Sequence, residues 1–186
     1  MLREVEPLRP FFAEEPTRPE FIAQLSRVTE ATTVPIAVGE RLYSRWDFLP
    51  ALESGIAVAQ PDISHAGGIS EVRRIASLAE VFDAHLAPHC PLGPIAFAAS
   101  VQVAISIPNF LIHEYGFDMH YNRDNDYLDY LVDKSTLALV DGYVERPTGP
   151  GLGVEIDEHA VRSAAQIGHD WRSPVWRLPD GSLTEW

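Results

Sequence analysis

Short apolar runs alternate with amphipathic segments along the first 114 residues of the chain. Each apolar run has the length of a β-strand and is followed by a polar residue, whereas the segments between them repeat their apolar positions with a helical period. The predicted strands are Phe11–Ala13, Pro35–Val38, Ile56–Ala59, His85–Ala87 and Phe110–His113. The predicted helices are Pro19–Thr29, Trp46–Glu53, Ile69–Asp83 and Ile95–Ile105. Strand, loop and helix in repetition are typical of parallel βα units.

The polar residues that follow the five strands recur at intervals of 22 to 27 residues. They are Glu14, Glu40, Asp62, His89 and Glu114. A (β/α)₈ barrel allots roughly 30 residues to each unit and carries its catalytic groups at the carboxyl ends of its strands. A doubly wound open sheet has a similar period, but no glycine-rich phosphate loop follows the first strand, which favours the barrel.

Five βα units are too few to close an eight-stranded barrel, and an open half-barrel exposes two sheet edges. We therefore expect an α/β fold, a partial (β/α)₈ TIM barrel with about the last five units, whose remaining strands lie upstream or come from a partner. The predicted barrel part covers residues 1–142, and residues 143–186 form a C-terminal extension. Within it, Pro147–Gly153 is a turn-rich connector, and the tryptophan-rich segment Trp171–Trp186 is expected to pack on another surface.

Charge and cysteine content narrow the class of protein. The chain has 27 acidic and 14 basic residues, and its net charge of −13 argues against a general nucleic-acid binder. Cys90 is the only cysteine, which excludes an intrachain disulfide and suits a reducing compartment. No apolar run reaches the roughly 18 to 20 residues of a membrane span, and no signal-peptide pattern opens the chain. We expect a cytoplasmic protein with no membrane partner.

In a barrel the five polar residues named above would form one ring around its mouth. Their side chains permit two kinds of chemistry. Glu14 and Glu40 offer hard oxygen ligands that suit magnesium, but a pair of glutamates also serves glycosidases as acid and nucleophile. His89 titrates near neutral pH and is the candidate acid or base, with Asp62 as the carboxylate that orients it. The structural alternatives are an ordinary hydrogen-bonded histidine at His89 and a salt bridge at the barrel rim for Glu114.

Longer motifs around these residues resemble the mandelate racemase/muconate lactonizing enzyme branch of the enolase superfamily, and within it the galactonate dehydratases. They are Phe12–Pro16, Gly39–Asp47, Gln60–Ile69, Ala87–Ala96, Pro147–Gly153 and the ending Pro174–Trp186. The resemblance covers nearly the whole chain. Enolase-superfamily sites are a standard example of a Lys or His base working beside magnesium.

The resemblance implies a role for each residue of the ring. Glu14 and Glu40 would be Mg²⁺ ligands, with Glu15 only a neighbour of the first. His89 would be the general acid that protonates the departing 3-hydroxyl, with Asp62 as its partner. Glu114 would donate a hydrogen bond to the enediolate oxygen, which requires a protonated and buried carboxyl. A glycosidase would leave the Asp62–His89 pairing without a role, which disfavours that alternative.

The expected reaction is the dehydration of galactonate to the 2-keto-3-deoxy acid by a Mg²⁺-dependent lyase acting on a small sugar acid. Another aldonate, such as gluconate or mannonate, is an alternative substrate. The family's third metal ligand, an aspartate, and the histidine base two residues after it would precede residue 1, as would the capping domain. A chain with no activity alone is therefore the remaining alternative, and the full-length protein is expected to be a homo-oligomer.

Overall fold

The structure, a computed structural model, describes residues 2–117, 126–167 and 177–182. The strands in chain order are β1 (Ala13–Glu14), β2 (Ile36–Val38), β3 (Val58–Ala59), β4 (His85–Leu86), β5 (Leu139–Val140) and β6 (Tyr143–Val144). The α-helices are α1 (Leu2–Val5), α2 (Leu25–Thr29), α3 (Arg45–Glu53), α4 (Gly68–Val81), α5 (Pro94–Ala104) and α6 (Glu158–Ala165). Short 3₁₀ segments cover Glu6–Leu8, Pro19–Gln24, Tyr127–Tyr130 and Lys134–Leu137.

Four of the five predicted strands form one parallel sheet in the order β1-β2-β3-β4. The register pairs Ala13 with Ile36, Ala37 with Val58, and Val58 with His85. Pairing in chain order, with a helix between successive strands, is the arrangement of a (β/α)₈ barrel, whereas a doubly wound sheet reverses its order part of the way along. The structure therefore confirms the α/β architecture and supports the partial barrel.

The fifth predicted strand is only partly formed. Residues 109–114 run beside β4, where the Leu111 amide donates to Leu86 at 2.8 Å and the Glu114 amide donates to Pro88 at 3.4 Å. Among the described residues this pairing amounts to one parallel bridge, between Leu86 and Phe110. It is nevertheless sufficient to bring Glu114 to the same sheet edge as the other four ring residues.

The two faces of the sheet bury different side chains. On one face Ile36, Val38 and Leu86 pack with Phe48 of α3 and Ile75 of α4 in the main core. The other face carries the small residues Ala37, Val58 and Ala87, against which Phe12 and Leu111 pack. A third cluster joins α5 to the segment that follows the sheet, and contains Cys90, Phe97, Ala98, Val101, Phe117, Leu131 and Leu137.

The chain divides into two compact units, residues 1–156 and residues 157–186. The first unit contains the parallel sheet and the β5–β6 hairpin, and the second contains α6. The boundary expected after residue 142 stays a prediction. The polar segment 118–125 and most of the tryptophan-rich tail lie outside the described residues. None of the described helices is long and apolar enough to span a membrane.

Candidate active site

The residues of the predicted ring lie at the carboxyl edge of the sheet. Glu14 ends β1, Glu40 follows β2 by two residues, and Asp62 and His89 each follow their strand by three. Carboxyl ends of neighbouring parallel strands meet at one edge, so side chains far apart in sequence become neighbours. Four of the five, Glu40, Asp62, His89 and Glu114, form one network of contacts.

His89 is hydrogen-bonded to a buried aspartate. Its Nδ1 lies 2.8 Å from Oδ2 of Asp62, whose side chain is 1% exposed. The second oxygen of Asp62 accepts a hydrogen bond from the Ser64 amide at 2.6 Å. Burial alone raises the pKa of Asp62, but the hydrogen bonds from His89 and Ser64 outweigh it and lower that pKa. An ionised Asp62 can only accept, so Nδ1 of His89 carries the proton of this bond.

The other ring nitrogen of His89 faces two more carboxylates. Its Nε2 lies 3.3 Å from Oε2 of Glu40 and 3.9 Å from Oε2 of Glu114. Burial alone lowers the pKa of His89, but the hydrogen bond to Asp62 and the charges of Glu114 and Glu40 raise it above its ordinary value. One ring nitrogen of His89 is therefore bound to Asp62, and the other faces Glu40 and Glu114.

Glu40 is held where several negative charges meet. Burial raises the pKa of its carboxyl, and the carboxylates of Glu15 and Glu14 add to this effect, while His89 and Arg41 oppose it. The backbone before it depends on Gly39, with a φ of 151°. A Cβ at that position would lie 2.7 Å from both the Gln60 amide nitrogen and the ring of Phe48. Only glycine allows β2 to pass this close to β3 and present Glu40.

Glu14 and Glu15 have different environments although they are adjacent. The Glu15 carboxylate accepts from the Arg41 guanidinium at 2.8 Å and from the Gly39 amide at 3.1 Å. Glu14 instead lines an open pocket of about 230 Å³ together with Glu114. Glu15 is therefore occupied in holding the loop after β2, whereas Glu14 faces the pocket. The role of Glu14 as a metal ligand stays a prediction.

Glu114 differs from expectation in its burial. Its side chain is 45% exposed, so the predicted buried carboxyl is wrong for this structure. Its Oε2 accepts a hydrogen bond from the Cys90 amide at 2.6 Å. The carboxylate is thus fixed by the loop after β4 and faces His89, but the chain itself does not enclose it.

Sequence reasoning did not identify three polar residues near the ring. His65 Nδ1 lies 3.3 Å from the carbonyl oxygen of Glu40. Gln60 lines the same pocket as Glu14, and its buried Oε1 has no hydrogen-bond partner among the described residues. His113 bonds to the Glu114 backbone. Gln60 lies two residues before Asp62 in the chain, and this spacing is the signal that could have indicated it.

A divalent cation would find oxygen ligands at this edge. Glu14 and Glu40 come from adjacent strands, and magnesium usually keeps several waters and takes only one or two protein carboxylates. Within the described ranges, no cluster of three or more His, Cys, Asp or Glu side chains is arranged to hold a metal ion. In their chemistry these two carboxylates suit magnesium, and binding of the ion stays a prediction.

Comparison with known proteins gives one consistent result. Residues 1–160 match the family described as enolase C-terminal domain-like. The chain is 46% identical over 187 aligned residues to D-galactonate dehydratase of Variovorax paradoxus (strain S110), and 48% identical to that of Ralstonia pickettii (strain 12J). All of this chain is covered in both cases but only 49% of each relative, so the chain spans about half the length of these curated relatives.

Solved structures show the same likeness. A mandelate racemase/muconate lactonizing enzyme from Jannaschia sp. CCS1 superposes with a TM-score of 0.79 at 34% identity, covering 87% of this chain and 40% of that one. An enolase from Agrobacterium radiobacter with bound sodium and L-malate gives a TM-score of 0.84 at 40% identity, covering 95% and 47%.

The fold and the site together define part of a barrel domain that carries carboxylates and a histidine at its carboxyl edge. The chain belongs to the enolase C-terminal domain-like family. The resemblance to the mandelate racemase branch and its galactonate dehydratases, expected from the motifs, is thereby confirmed.

Proposed function

We propose that this chain supplies the leaving-group side of the active site of a Mg²⁺-dependent acid-sugar dehydratase, with galactonate as the substrate. The observation that carries the proposal is the geometry of His89. Its Nδ1 is bound to Asp62 at 2.8 Å, while Nε2 faces Glu40 and Glu114. D-galactonate dehydratase is the name of the curated relatives at 46% and 48% identity.

His89 acts as the general acid in this proposal. Because Asp62 holds Nδ1, the proton to be delivered is the one on Nε2, which lies on the open side of the ring. Asp62 fixes the ring orientation and stabilises its positive charge, as a buried carboxylate does for a catalytic histidine. The proton goes to the departing 3-hydroxyl, which leaves as water.

Glu14 and Glu40 are the proposed Mg²⁺ ligands. A bound magnesium ion would supply a positive charge that stabilises the developing negative charge on the substrate carboxylate. Glu114 lies beside Nε2 and is the proposed hydrogen-bond partner of the same substrate oxygen. The homo-oligomer and the cytoplasmic location expected from the sequence stay predictions.

Two measurements test the proposal, the first on the purified chain and the second on a polypeptide that also carries the expected histidine base. Calorimetric titration with Mg²⁺ is expected to show micromolar binding, weakened at least about tenfold by Glu40→Gln or Glu14→Gln, since each removes one charged ligand. The exposed Glu30→Gln is the matched control and should bind Mg²⁺ as the wild type does.

The second measurement is formation of the 2-keto-3-deoxy acid from galactonate, gluconate and mannonate, with Mg²⁺ and with a chelator. In a polypeptide that also supplies the expected histidine base, we expect product from galactonate in the presence of Mg²⁺ and none with His89→Asn. Turnover by that variant at the wild-type rate would contradict the general-acid role, and preference for gluconate or mannonate would contradict the substrate. Millimolar or no Mg²⁺ binding by the purified chain, without turnover, would mean that this chain alone has no catalytic activity.

A further inference from the structure

A histidine other than His89 and His65 also lies beside the site. His113 precedes Glu114, and its Nδ1 lies 2.6 Å from the Glu114 carbonyl oxygen. Its Nε2 lies 2.7 Å from the hydroxyl of Ser100, a residue of α5 that is fully buried. The ring also packs edge-on against Phe97, with the ring centroids 4.8 Å apart.

The two partners determine where the ring proton lies. A carbonyl oxygen can only accept, so Nδ1 of His113 donates to Glu114. Nε2 of the neutral ring is then an acceptor, and the Ser100 hydroxyl donates to it. Burial lowers the pKa of His113, outweighing the opposite effect of the Glu114 carbonyl. The imidazole of His113 is therefore neutral and connects α5, through Ser100, to the backbone of Glu114 by two hydrogen bonds.

Glu114 is consequently held through both its side-chain carboxylate and its backbone carbonyl. The Cys90 amide donates to its Oε2 at 2.6 Å, and His113 donates to its carbonyl oxygen. Its own amide makes a longer hydrogen bond, 3.4 Å, to Pro88. Segment 109–114 pairs with β4 through few backbone bonds, so side-chain contacts have a large share in fixing this part of the chain.

We propose that His113, anchored by Ser100, is a positioning residue that holds the Glu114 backbone so that its carboxylate stays on the Cys90 amide and beside His89. The proposal rests on the function given above for Glu114 and adds a residue that does not itself contact the reacting atoms. In this arrangement α5, through Ser100, fixes the position of a side chain at the sheet edge.

The Cys90 amide proton reports on the Glu114 carboxylate without any assay of activity. In ¹H–¹⁵N spectra of the full chain, Glu114→Ala defines the signal of a Cys90 amide that has lost its acceptor. His113→Gln places its amide group near the position of Nε2 and loses the donor to Glu114. We expect its Cys90 amide signal to move toward that of Glu114→Ala, and the amide hydrogen to exchange at least about tenfold faster than in the wild type.

His113→Asn is the matched variant, because its side-chain amide nitrogen falls near Nδ1 and can still donate to the Glu114 carbonyl. It also loses the acceptor of the Ser100 hydroxyl, so its Cys90 signal should lie between those of the wild type and His113→Gln. The Ser64 amide, which donates to Asp62 at 2.6 Å, is the internal control and should not change in either variant. Ser100→Ala is the second route to the same result, and should speed Cys90 exchange while leaving Ser64 unchanged.

An unchanged Cys90 amide in His113→Gln would overturn the proposal, and so would a loss of the signal in His113→Asn equal to that in His113→Gln. Faster exchange at both Cys90 and Ser64 would show a general structural role and would also overturn it. If His113→Gln does not fold, the Ser100→Ala result decides. Absence of dehydratase activity in the wild type would count against the proposed function, while the amide signals would still test His113 separately.

Discussion

Cys90 takes part in both the candidate site and the core. Its amide donates to Glu114, while its thiol lies in the cluster with Phe97 and Leu131 and the residue is 1% exposed. Burial raises the pKa of the thiol from 9.0 to about 12, and the charges of Asp62 and Glu114 add to this effect. A thiol in these surroundings is a small apolar side chain and not a nucleophile.

Cys90 should therefore resist alkylation in the folded protein. Because only the thiolate reacts, we expect iodoacetamide at pH 8 to modify it at least about a hundredfold more slowly than in urea, where the thiol has its ordinary pKa. Mass spectrometry over time measures both rates, and the unfolded chain is the control. A folded-state rate within about tenfold of the unfolded rate would contradict the burial and raised pKa of this thiol.

The pairing of single residues could be predicted only where strand order determines it. Asp62 and His89 were expected to meet because both follow neighbouring parallel strands, and they do meet. His113 and Ser100 could not be paired in advance, because their contact depends on how α5 packs against the segment after β4. Side-chain contacts across packed elements leave no periodic signal in a sequence.

The helix α4 shows the clearest relation between sequence pattern and burial at the scale of an element. Val72, Ile75, Ala76 and Ala79 are buried, at the i, i+3, i+4 and i+7 spacing of one helical face. Ile69, in the first turn of the same helix, is 39% exposed. The helix thus offers two isoleucines in contrasting environments.

Truncation of these two isoleucines should have unequal effects. Ile75→Ala leaves a cavity in the main core and is expected to lower the free energy of unfolding by about 2 to 5 kcal/mol. Ile69→Ala, the control, should cost less than about 1 kcal/mol because its side chain is partly in water. Urea denaturation followed by circular dichroism measures both. Equal losses would contradict the assignment of the buried face.

Element boundaries were predicted best at the starts of three helices. The helices α3, α4 and α5 begin within one residue of the expected positions. The predicted helix Pro19–Thr29 is divided instead, with 3₁₀ structure over Pro19–Gln24 and a non-helical Phe21. The predicted strands are longer than the segments that pair, because the apolar runs continue past the residues whose backbone hydrogen bonds form the sheet.

Net charge acts on the whole molecule. With 27 acidic and 14 basic residues, the folded chain concentrates negative charge that the unfolded chain spreads over a larger volume. Added salt screens this repulsion, since the Debye length falls from about 30 Å at 0.01 M to about 3 Å at 1 M. Repulsion between distant carboxylates should therefore lower the free energy of unfolding by a measurable amount.

The thermal midpoint should accordingly rise with salt. We expect an increase on the order of 2 to 4 °C between about 0.01 M and 0.5 M NaCl, the change that roughly 1 kcal/mol produces in a protein of this size. A triple variant at exposed positions, Glu53→Gln, Glu80→Gln and Glu145→Gln, removes three negative charges and should show a smaller increase. A midpoint that falls with salt would mean that local ion pairs outweigh the net repulsion.

Pairing of β1 to β4 in chain order affects how the molecule can be made. Ala13 pairs with Ile36 and Ala37 with Val58, so each new strand joins the one synthesised just before it. Pairs of this moderate sequence separation cost little loop-closure entropy compared with strands that must wait for a distant partner. A nascent chain can therefore extend the sheet one βα unit at a time as it leaves the ribosome. The carboxyl edge of the sheet would form in the same order, with Glu14 and Glu40 in place before His89.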